Sequence, residues 1–230
     1  MTKLIHQVYG LFNDGISYED IPKYAENVQA TKKFCKIHNI EYKMWGLKDC
    51  DKLIESDFPE YMDLWINFRY PIQKADFIRY CILFVYGGLY IDCDIRPVKS
   101  LDFIFDQPYY FVHWSNDHKK LPYNAVMGSH AGRPLFLYIM NECERSVKEK
   151  NKIESYNTWK GRYIFHTTGH FMLERAMKEN NIDKSKYFHD SIYIHNPDKK
   201  GMGAIGNMNN AFFFDSNASI WYDEWFNNNP

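Results

Sequence analysis

The stretch QKADFIRYCILFVYGGLYIDCDIRP, residues 73–97, decides the fold of this chain. Apolar residues recur at helical spacing as far as Tyr86, so the first part predicts an amphipathic helix. Gly87 and Gly88 follow, and because glycine adopts positive φ freely, they predict the end of the helix and a reversal of the chain. The apolar run after them predicts a short strand that ends in Asp92 and Asp94. The stretch therefore predicts an antiparallel helix–strand hairpin.

The dimensions of this hairpin predict that charged residues meet at its open end. The helical part is about 15 Å long at ~1.5 Å per residue, and the strand is about 20 Å long at ~3.3 Å per residue. Asp76 and Arg79 lie three residues apart on one charged helix face and should therefore lie beside Asp92 and Asp94. Alternation along the strand would place these two carboxylates on one side and Cys93 on the other.

Two carboxylates one residue apart at a strand end indicate a divalent-metal site. Their oxygens suit a hard cation such as Mn²⁺ or Mg²⁺, and such a cation commonly bridges phosphate oxygens of a nucleotide. An Asp-x-Asp pair alone is better explained by a solvated strand end, because such pairs often occur by accident. The neighbouring helix pair and the glycine turn favour the metal site, with a nucleoside diphosphate or triphosphate as the ligand.

These residues resemble the donor-site signature of the DXD sugar-binding glycosyltransferases. That family includes the yeast initiating α-1,6-mannosyltransferase, capsular-polysaccharide sugar transferases and, more distantly, the glucosyltransferase domains of large clostridial toxins. The signature is Asp76-x-x-Arg79, Leu83 and Gly87-Gly88-x-Tyr90-x-Asp92-x-Asp94. Further segments resemble the family in order and spacing: Lys3–Gly10, Asn124–Ser129 with Gly132–Phe136, Thr167–Gly169 and Ser219–Trp221.

The resemblance implies an α/β fold of the GT-A type, which binds nucleotide-sugars and has a Rossmann-like, mixed but mostly parallel central sheet. It implies a single glycosyltransferase domain over residues 1–230, with a nucleotide-sugar and metal half (residues 1–100) and an acceptor half with a C-terminal lid segment (residues 101–230). The implied activity is metal-dependent transfer of a hexose or N-acetylhexosamine from a nucleotide-sugar to a glycan or protein acceptor, with retention of configuration. The implied cofactor is Mn²⁺ or Mg²⁺.

The resemblance also implies roles for individual residues. The implied donor-binding residues are Val8, Tyr9, Asp76, Arg79, Tyr90, Asp92, Ser219 and Trp221. The implied catalytic residues are Asp94, Asp92 and Asn124. The implied metal ligands are Asp94, Asp92 and Asp215, with Asn217 as an alternative to Asp215.

Two departures from the family pattern bear on substrate choice. The turn reads Thr168-Gly169-His170 where the family has Gly-Pro, which leaves the acceptor side open. The segment from Phe214 to Ser219 lacks the histidine of mannosyltransferase-like members. It therefore favours the toxin-like branch and a UDP-sugar. A GDP-mannose-dependent mannosyltransferase and a non-catalytic sugar-nucleotide or glycan-binding protein remain alternatives.

Composition narrows the class of partner and compartment. The chain has 28 basic and 29 acidic residues. Its overall charge therefore does not indicate binding to nucleic acid or to an anionic membrane. No apolar run approaches the ~20 residues of a membrane span, so no integral membrane segment is expected. The first strand begins near Lys3, which leaves no room for a signal peptide. Five cysteines without paired spacing indicate a reduced, cytoplasmic protein.

Beyond the hairpin, strands and helices alternate, which predicts a mostly parallel sheet covered by helices. The predicted strands are Leu4–Tyr9, Glu41–Trp45, Pro108–Val112 and Ala125–Ser129, and β structure with loop is expected in Tyr187–His195 and Ala211–Asp215. The predicted helices are Ile21–His38, one or two within Leu47–Arg69, Pro134–Lys150 and Gly169–Asn180.

Some residues admit more than one interpretation. Gly201–Gly206 reads G-x-G-x-x-G, but it lies late in the chain and not between a strand and a helix, so it predicts a mobile loop and not a dinucleotide turn. His6 is interpreted as a core histidine. His166 and His170 are weak metal candidates without a third ligand. His113-Trp114 is a candidate acceptor platform.

Overall fold

The computed structural model describes residues 1–12, 15–113, 121–150, 160–189, 192–194, 209 and 211–216. The helices in these ranges are α1 (Pro22–His38), α2 (Leu47–Asp57), α3 (Met62–Ile66), α4 (Pro71–Tyr86), α5 (Asp102–Phe105), α6 (Pro134–Lys150), α7 (Lys160–Thr167), α8 (His170–Glu179) and α9 (Lys184–Tyr187). The strands are β1 (Leu4–Val8), β2 (Glu41–Trp45), β3 (Gly88–Ile91), β4 (Ile95–Pro97), β5 (Tyr109–His113), β6 (Pro122–Ser129), β7 (Phe188–His189), β8 (Ile192–Ile194) and β9 (Phe213–Asp215). Short 3₁₀ helices span Tyr18–Asp20 and Pro59–Tyr61.

The predicted helix–strand hairpin is confirmed as α4 and β3. Both glycines between them have positive φ, +64° at Gly87 and +85° at Gly88. A Cβ atom on Gly87 would lie 2.6 Å from the Ala131 backbone nitrogen, and one on Gly88 would lie 2.5 Å from the Leu4 carbonyl oxygen. The reversal therefore needs glycine at both positions for two reasons, backbone conformation and space.

The end of the strand was predicted wrongly. It was expected to run to Asp94, but β3 ends at Ile91 and the next residues form a turn, closed by a 3.0 Å hydrogen bond from the Ile95 nitrogen to the Asp92 carbonyl. We call Asp92-Cys93-Asp94 the acidic turn. The chain leaves the sheet here because β4 pairs with β9, with Ile95 opposite Asp215. Strand alternation therefore does not set the directions of the two carboxylates.

The central sheet has the strand order β2-β1-β3-β6-β5-β7. β1 is parallel to both β2 and β3, and β5 is parallel to β7, whereas β6 is antiparallel to its neighbours β3 and β5. This arrangement confirms the predicted α/β class with a mixed, mostly parallel sheet. A second, three-stranded sheet has the order β4-β9-β8 and brings the C-terminal strand beside the acidic turn.

Hydrophobic clusters cover both faces of the central sheet, as strand alternation requires. Tyr90 and Phe111 pack into the cluster that includes α2, α3, α4, α6 and α8. Leu89, Ile91 and Val112 pack into the opposite cluster with parts of α1, α5 and β9. The sheet is thus buried on both sides, and its functional groups are left for the strand ends.

Other predicted elements are present with small shifts at their ends. β2 and α6 have the predicted bounds, β6 begins earlier, at Pro122, and α7 was not predicted. Trp114, Gly201–Gly206, Asn217, Ser219 and Trp221 lie outside the described residues. None of the helices in the described part of the chain combines the length and apolar composition that a bilayer crossing requires.

Candidate active site

The candidate site lies at the carboxyl ends of the parallel strands β1 and β3. His6 of β1 is in register with Tyr90 of β3, so the two strands end side by side. The Gln7 side-chain amide donates a 3.0 Å hydrogen bond to the Asp92 carbonyl, which holds the acidic turn against β1. Ligands of open α/β sheets bind at this edge, where loops follow the strands.

Arg79 of α4 is the centre of the charged end of the hairpin. Its Nη1 donates a 2.7 Å hydrogen bond to the Asn124 carbonyl and lies 3.4 Å from an Asp92 carboxylate oxygen. Its Nη2 lies 3.3 Å from Asp76 Oδ1, and its guanidinium carbon lies 4.7 Å from the centre of the Tyr90 ring. Burial opposes its charge, but Asp92, Tyr90 and Asp76 more than offset this and raise the pKa of Arg79. The helix therefore presents a permanent cation inside the protein.

Both oxygens of the Asp76 carboxylate accept hydrogen bonds from fixed donors. Oδ1 accepts from the Asn124 side-chain amide at 2.8 Å, and Oδ2 accepts from the Thr168 hydroxyl at 3.0 Å. Asp76 is only 5% exposed. Burial raises the pKa of Asp76 to about 6, against the opposing charge of Arg79. The charged face predicted for this helix is thus a buried polar network.

Asp92 joins this network to the acidic turn. Its Oδ1 accepts a 2.6 Å hydrogen bond from the Tyr90 hydroxyl, and its side chain is 31% exposed. Burial raises the pKa of Asp92, whereas Arg79 lowers it. The confirmed part of the geometric prediction is the meeting of Asp76, Arg79 and Asp92 at the open end of the hairpin.

Asp94 is tied to the C-terminal strand. Its carbonyl accepts two hydrogen bonds of 3.0 Å from Ser216, one from the backbone nitrogen and one from the hydroxyl. The Asn27 side-chain amide of α1 in turn donates to the Ser216 hydroxyl at 3.0 Å. Residues more than a hundred positions apart thereby fix the acidic turn.

Asp215 lies next to this contact and is fully buried. It accepts a 2.7 Å hydrogen bond from the Tyr123 hydroxyl. Burial raises the pKa of Tyr123 well above its usual range, and the charges of Asp215, Asp94 and Asp92 raise it further. All three predicted metal ligands therefore act electrostatically on one phenol.

The donor set of these carboxylates suits a hard cation, because carboxylate oxygens are the ligands that Mg²⁺ and Mn²⁺ prefer. In the described ranges, however, no three His, Cys, Asp or Glu side chains stand close enough together to hold a metal ion. The assignment of Asp92, Asp94 and Asp215 as metal ligands therefore stays a prediction.

Tyr9 follows β1 and lies in an aromatic cluster with Tyr18 and Tyr24. Its ring meets each of the other two edge-on, with centroids 5.8 Å apart. Burial raises the pKa of Tyr24, and Asp94 adds to this effect, so the cluster lies close to the acidic turn. Tyr18 and Tyr24 were missed because tyrosine is abundant in this chain. Their spacing around the first turn of α1 was the available signal.

Two further predictions concern residues beside the site. Cys93 donates its thiol hydrogen bond to the Val8 carbonyl at 3.3 Å, and burial, followed by the charge of Asp92, raises the pKa of this thiol. It therefore packs under the acidic turn as a protonated thiol. Val8, a predicted donor-binding residue, is the buried last residue of β1.

His6 is a buried histidine at the other end of the hairpin, as interpreted from the sequence. Its Nε2 lies 2.9 Å from the Gly87 carbonyl, and the Trp45 indole N–H donates to its Nδ1 at 3.2 Å. The only tautomer that satisfies both contacts is neutral with the proton on Nε2. Burial lowers the pKa of His6 to about 4.

The fold and this edge define a class: an α/β protein with carboxylates, a buried arginine and aromatic rings gathered where parallel strands end. Residues 9–111 match the family model described as a glycosyltransferase sugar-binding region containing a DXD motif. The resemblance found in the sequence is therefore confirmed: this stretch of the chain is similar to the sugar-binding region of the DXD glycosyltransferases.

Several curated proteins are similar to the chain. Mannosyl phosphorylinositol ceramide synthase CSH1 of Saccharomyces cerevisiae is 29% identical over 223 residues, which cover 96% of this chain and 53% of that protein. The related synthase SUR1 is 34% identical over 156 residues, covering 66% of this chain and 36% of SUR1. An uncharacterized glycosyltransferase, L373 of Acanthamoeba polyphaga mimivirus, is 27% identical, with 82% of this chain and 73% of that protein covered. The chain thus spans about half, or less, of the length of the yeast relatives.

A solved structure supports the fold independently. The PaToxG glycosyltransferase superposes with a TM-score of 0.51 at 14% identity, covering 78% of this chain and 70% of that one. At this identity the similarity concerns the fold alone, and it agrees with the predicted glycosyltransferase-type α/β architecture.

Proposed function

We propose that this protein is a metal-dependent glycosyltransferase that moves a sugar from a nucleotide-sugar donor to an acceptor hydroxyl. The observation that carries the proposal is the buried Asp76–Arg79 pair in contact with Asp92, the partly exposed carboxylate of the acidic turn. The Asp76–Arg79 pair can accept hydrogen bonds from a sugar and donate hydrogen bonds to it. The carboxylate of the acidic turn can face a metal-bound diphosphate. The family match over residues 9–111 supports the same chemistry.

Different residues of the site would bind the sugar, the divalent cation and the nucleotide base. Asp76 would accept hydrogen bonds from sugar hydroxyls and Arg79 would donate to them, both in orientations fixed by the protein. Asp92, Asp94 and Asp215 would hold a divalent cation. When bound, such a cation neutralises the charge that develops on the departing diphosphate. Tyr9 and its two tyrosine neighbours would pack against the base.

Two donors are candidates. The segment ending at Ser219–Trp221 resembles the toxin-like branch and favours a UDP-sugar. The names of the yeast relatives, mannosyl phosphorylinositol ceramide synthases, favour transfer of mannose, which makes a GDP-mannose donor the second candidate. Those names also extend the proposed acceptors from glycans and proteins to inositol phosphoceramide.

The remaining parts of the proposal are the stereochemistry and the compartment. The family resemblance implies that the anomeric configuration of the sugar is retained. The five cysteines are all free and buried, which supports a reducing compartment such as the cytoplasm.

The test is a panel of UDP-sugars and GDP-sugars incubated with the protein and Mn²⁺, with released nucleoside diphosphate as the readout. Parallel reactions contain EDTA, and acceptor reactions contain inositol phosphoceramide in detergent or a glycan mixture. We expect EDTA-sensitive release from one nucleotide class and an α-linked product by NMR. Tight binding of a nucleotide-sugar without turnover on any acceptor would instead support the non-catalytic binding protein.

A further inference from the structure

The turn after α7 reaches from the second half of the chain to Asp76. Thr168 is fully buried, and its hydroxyl oxygen lies 3.0 Å from Asp76 Oδ2. The other acceptor in reach is the Ile164 carbonyl, at 3.4 Å. A hydroxyl has one proton to donate, and an ionised carboxylate at the shorter distance is the stronger acceptor. The Thr168 hydroxyl therefore donates to Asp76.

The backbone of Thr168 is fixed independently of this contact. Its N–H donates to the Ile164 carbonyl at 3.0 Å, and its own carbonyl accepts a 2.7 Å hydrogen bond from the Tyr80 hydroxyl of α4. At the next residue, a Cβ atom on Gly169 would lie 3.0 Å from the Phe165 Cα, so the turn is closely packed. The position of the hydroxyl is thus set by the fold.

A partly exposed arginine, Arg175, contacts the same turn from the side of α8. Arg175 of α8 donates through Nη2 to the His166 carbonyl at 3.1 Å, and the same nitrogen contacts Glu142 at 3.2 Å and Ser146 at 2.8 Å, both on α6. This cluster joins α6 and α8 to the end of α7, directly before Thr168. Movement of the turn would therefore disturb three helices.

We propose that Thr168 is a positioning residue that, together with the Asn124 amide, fixes the plane of the Asp76 carboxylate and so sets which sugar hydroxyls the donor site accepts. The inference rests on the proposed function. Asn124 and Arg79 hold one carboxylate oxygen and Thr168 holds the other, so rotation of the carboxylate breaks a contact on either side. Sugar selectivity is thereby linked to the acceptor half of the chain.

The experiment compares Thr168→Val, which removes the hydroxyl at nearly constant volume, with Thr168→Ser, which keeps it. Calorimetry in Mn²⁺ measures binding of two epimer pairs, UDP-glucose with UDP-galactose and GDP-mannose with GDP-glucose, and of bare UDP and GDP. We expect Thr168→Val to weaken binding of the preferred nucleotide-sugar about tenfold and to reduce discrimination between its epimers. Binding of the bare nucleoside diphosphate should stay unchanged, and Thr168→Ser should restore both properties.

The matched control is Thr31→Val. Thr31 of α1 is also fully buried, and its hydroxyl has no hydrogen-bond partner within the described part of the protein. This variant should bind every ligand as the wild type does. If valine at position 168 prevents folding, Thr168→Ala makes the same deletion with less bulk, and Thr31→Ala becomes its control.

The outcomes separate this inference from the proposed function. Suppose that the wild type binds a nucleotide-sugar and that Thr168→Val binds it with the same affinity and the same ratio between epimers. This result would overturn the role of Thr168 and leave the proposed function intact. Equal losses for nucleotide-sugar and bare nucleotide, or no rescue by serine, would also overturn it and make Thr168 a structural residue. Binding of none of these nucleotides by the wild type would overturn the proposed function and this inference with it.

Discussion

The two ends of the α4–β3 hairpin are built from different chemistry. At the glycine end, Gly88 packs against a backbone carbonyl, and His6 is neutral with both ring nitrogens in hydrogen bonds. At the charged end, Arg79 and Asp76 are buried and paired, whereas Asp92 is 31% exposed. The glycine end is thus closely packed and uncharged, whereas the charged end has a carboxylate, that of Asp92, which is accessible to water. From this difference we expect substitutions at the glycine end to affect stability. We expect substitutions at the charged end to affect ligand binding and turnover.

The largest effect is expected at the exposed part of the charged end. Asp94→Asn should lower Mn²⁺-dependent release of nucleoside diphosphate by about three orders of magnitude or more, because loss of a charged metal ligand is commonly worth several kcal/mol in the transition state. Thermal unfolding should be almost unchanged. Asp102→Asn, which alters an exposed aspartate on α5, is the control. Equal rates in wild type and Asp94→Asn at matched Mn²⁺ would show that the acidic turn has no part in turnover.

The buried part of the same end should show both kinds of effect. Arg79→Ala should lower the free energy of unfolding by about 3–4 kcal/mol, because removing one partner leaves a buried carboxylate without its cation. It should also weaken nucleotide-sugar binding much more than binding of the bare nucleoside diphosphate. Lys3→Ala breaks an exposed ion pair with Asp102 and should leave the free energy of unfolding almost unchanged, because water screens such pairs. Equal losses for both ligands would place Arg79 outside the sugar subsite.

At the glycine end, the expected effect is on stability alone. Gly88→Ala should lower the free energy of unfolding by about 3 kcal/mol, because it combines a positive φ with a Cβ atom 2.5 Å from the Leu4 carbonyl. Gly132→Ala is the matched control, since its φ is +69° but nothing lies within 4 Å of an added Cβ. It should cost about 1 kcal/mol. Chemical denaturation of both variants measures the difference, and equal costs would mean that the close approach relaxes freely.

The smallest effect should appear only as a pH dependence. Because the pKa of His6 falls to about 4 in the folded protein, the unfolded chain binds a proton first as the pH drops below 6.5. Stability due to neutral His6 is therefore present above about pH 6.5 and is lost as the pH falls towards 4. His6→Gln keeps a donor and an acceptor but does not titrate. Its unfolding free energy should fall less steeply over this pH range than that of the wild type, and identical slopes would contradict the burial of a neutral histidine.

The sequence was most informative where local rules act. Gly87 and Gly88 predicted the chain reversal between α4 and β3. The lengths of these two elements predicted that Arg79 lies beside Asp92. The true end of β3 could not be predicted in this way, because it depends on pairing of β4 with β9 more than a hundred residues later. The burial of Asp76 is also nonlocal, since its two hydrogen-bond donors come from β6 and from the turn after α7.

The two hydrogen bonds from Ser216 to Asp94 also concern the order in which the protein is made. By residue 97 a growing chain already contains α4, β3 and both aspartates of the acidic turn, yet Ser216, which donates to the Asp94 carbonyl, is 122 positions further along. Closing so long a loop has an entropic cost. In a nascent chain the loop can close only after β9 and Ser216 have been synthesised. A chain arrested or cut before Ser216 therefore keeps every residue of the DXD signature but lacks the contact that holds Asp94. Synthesis of the chain through Ser216 is therefore needed before the acidic turn takes its final shape.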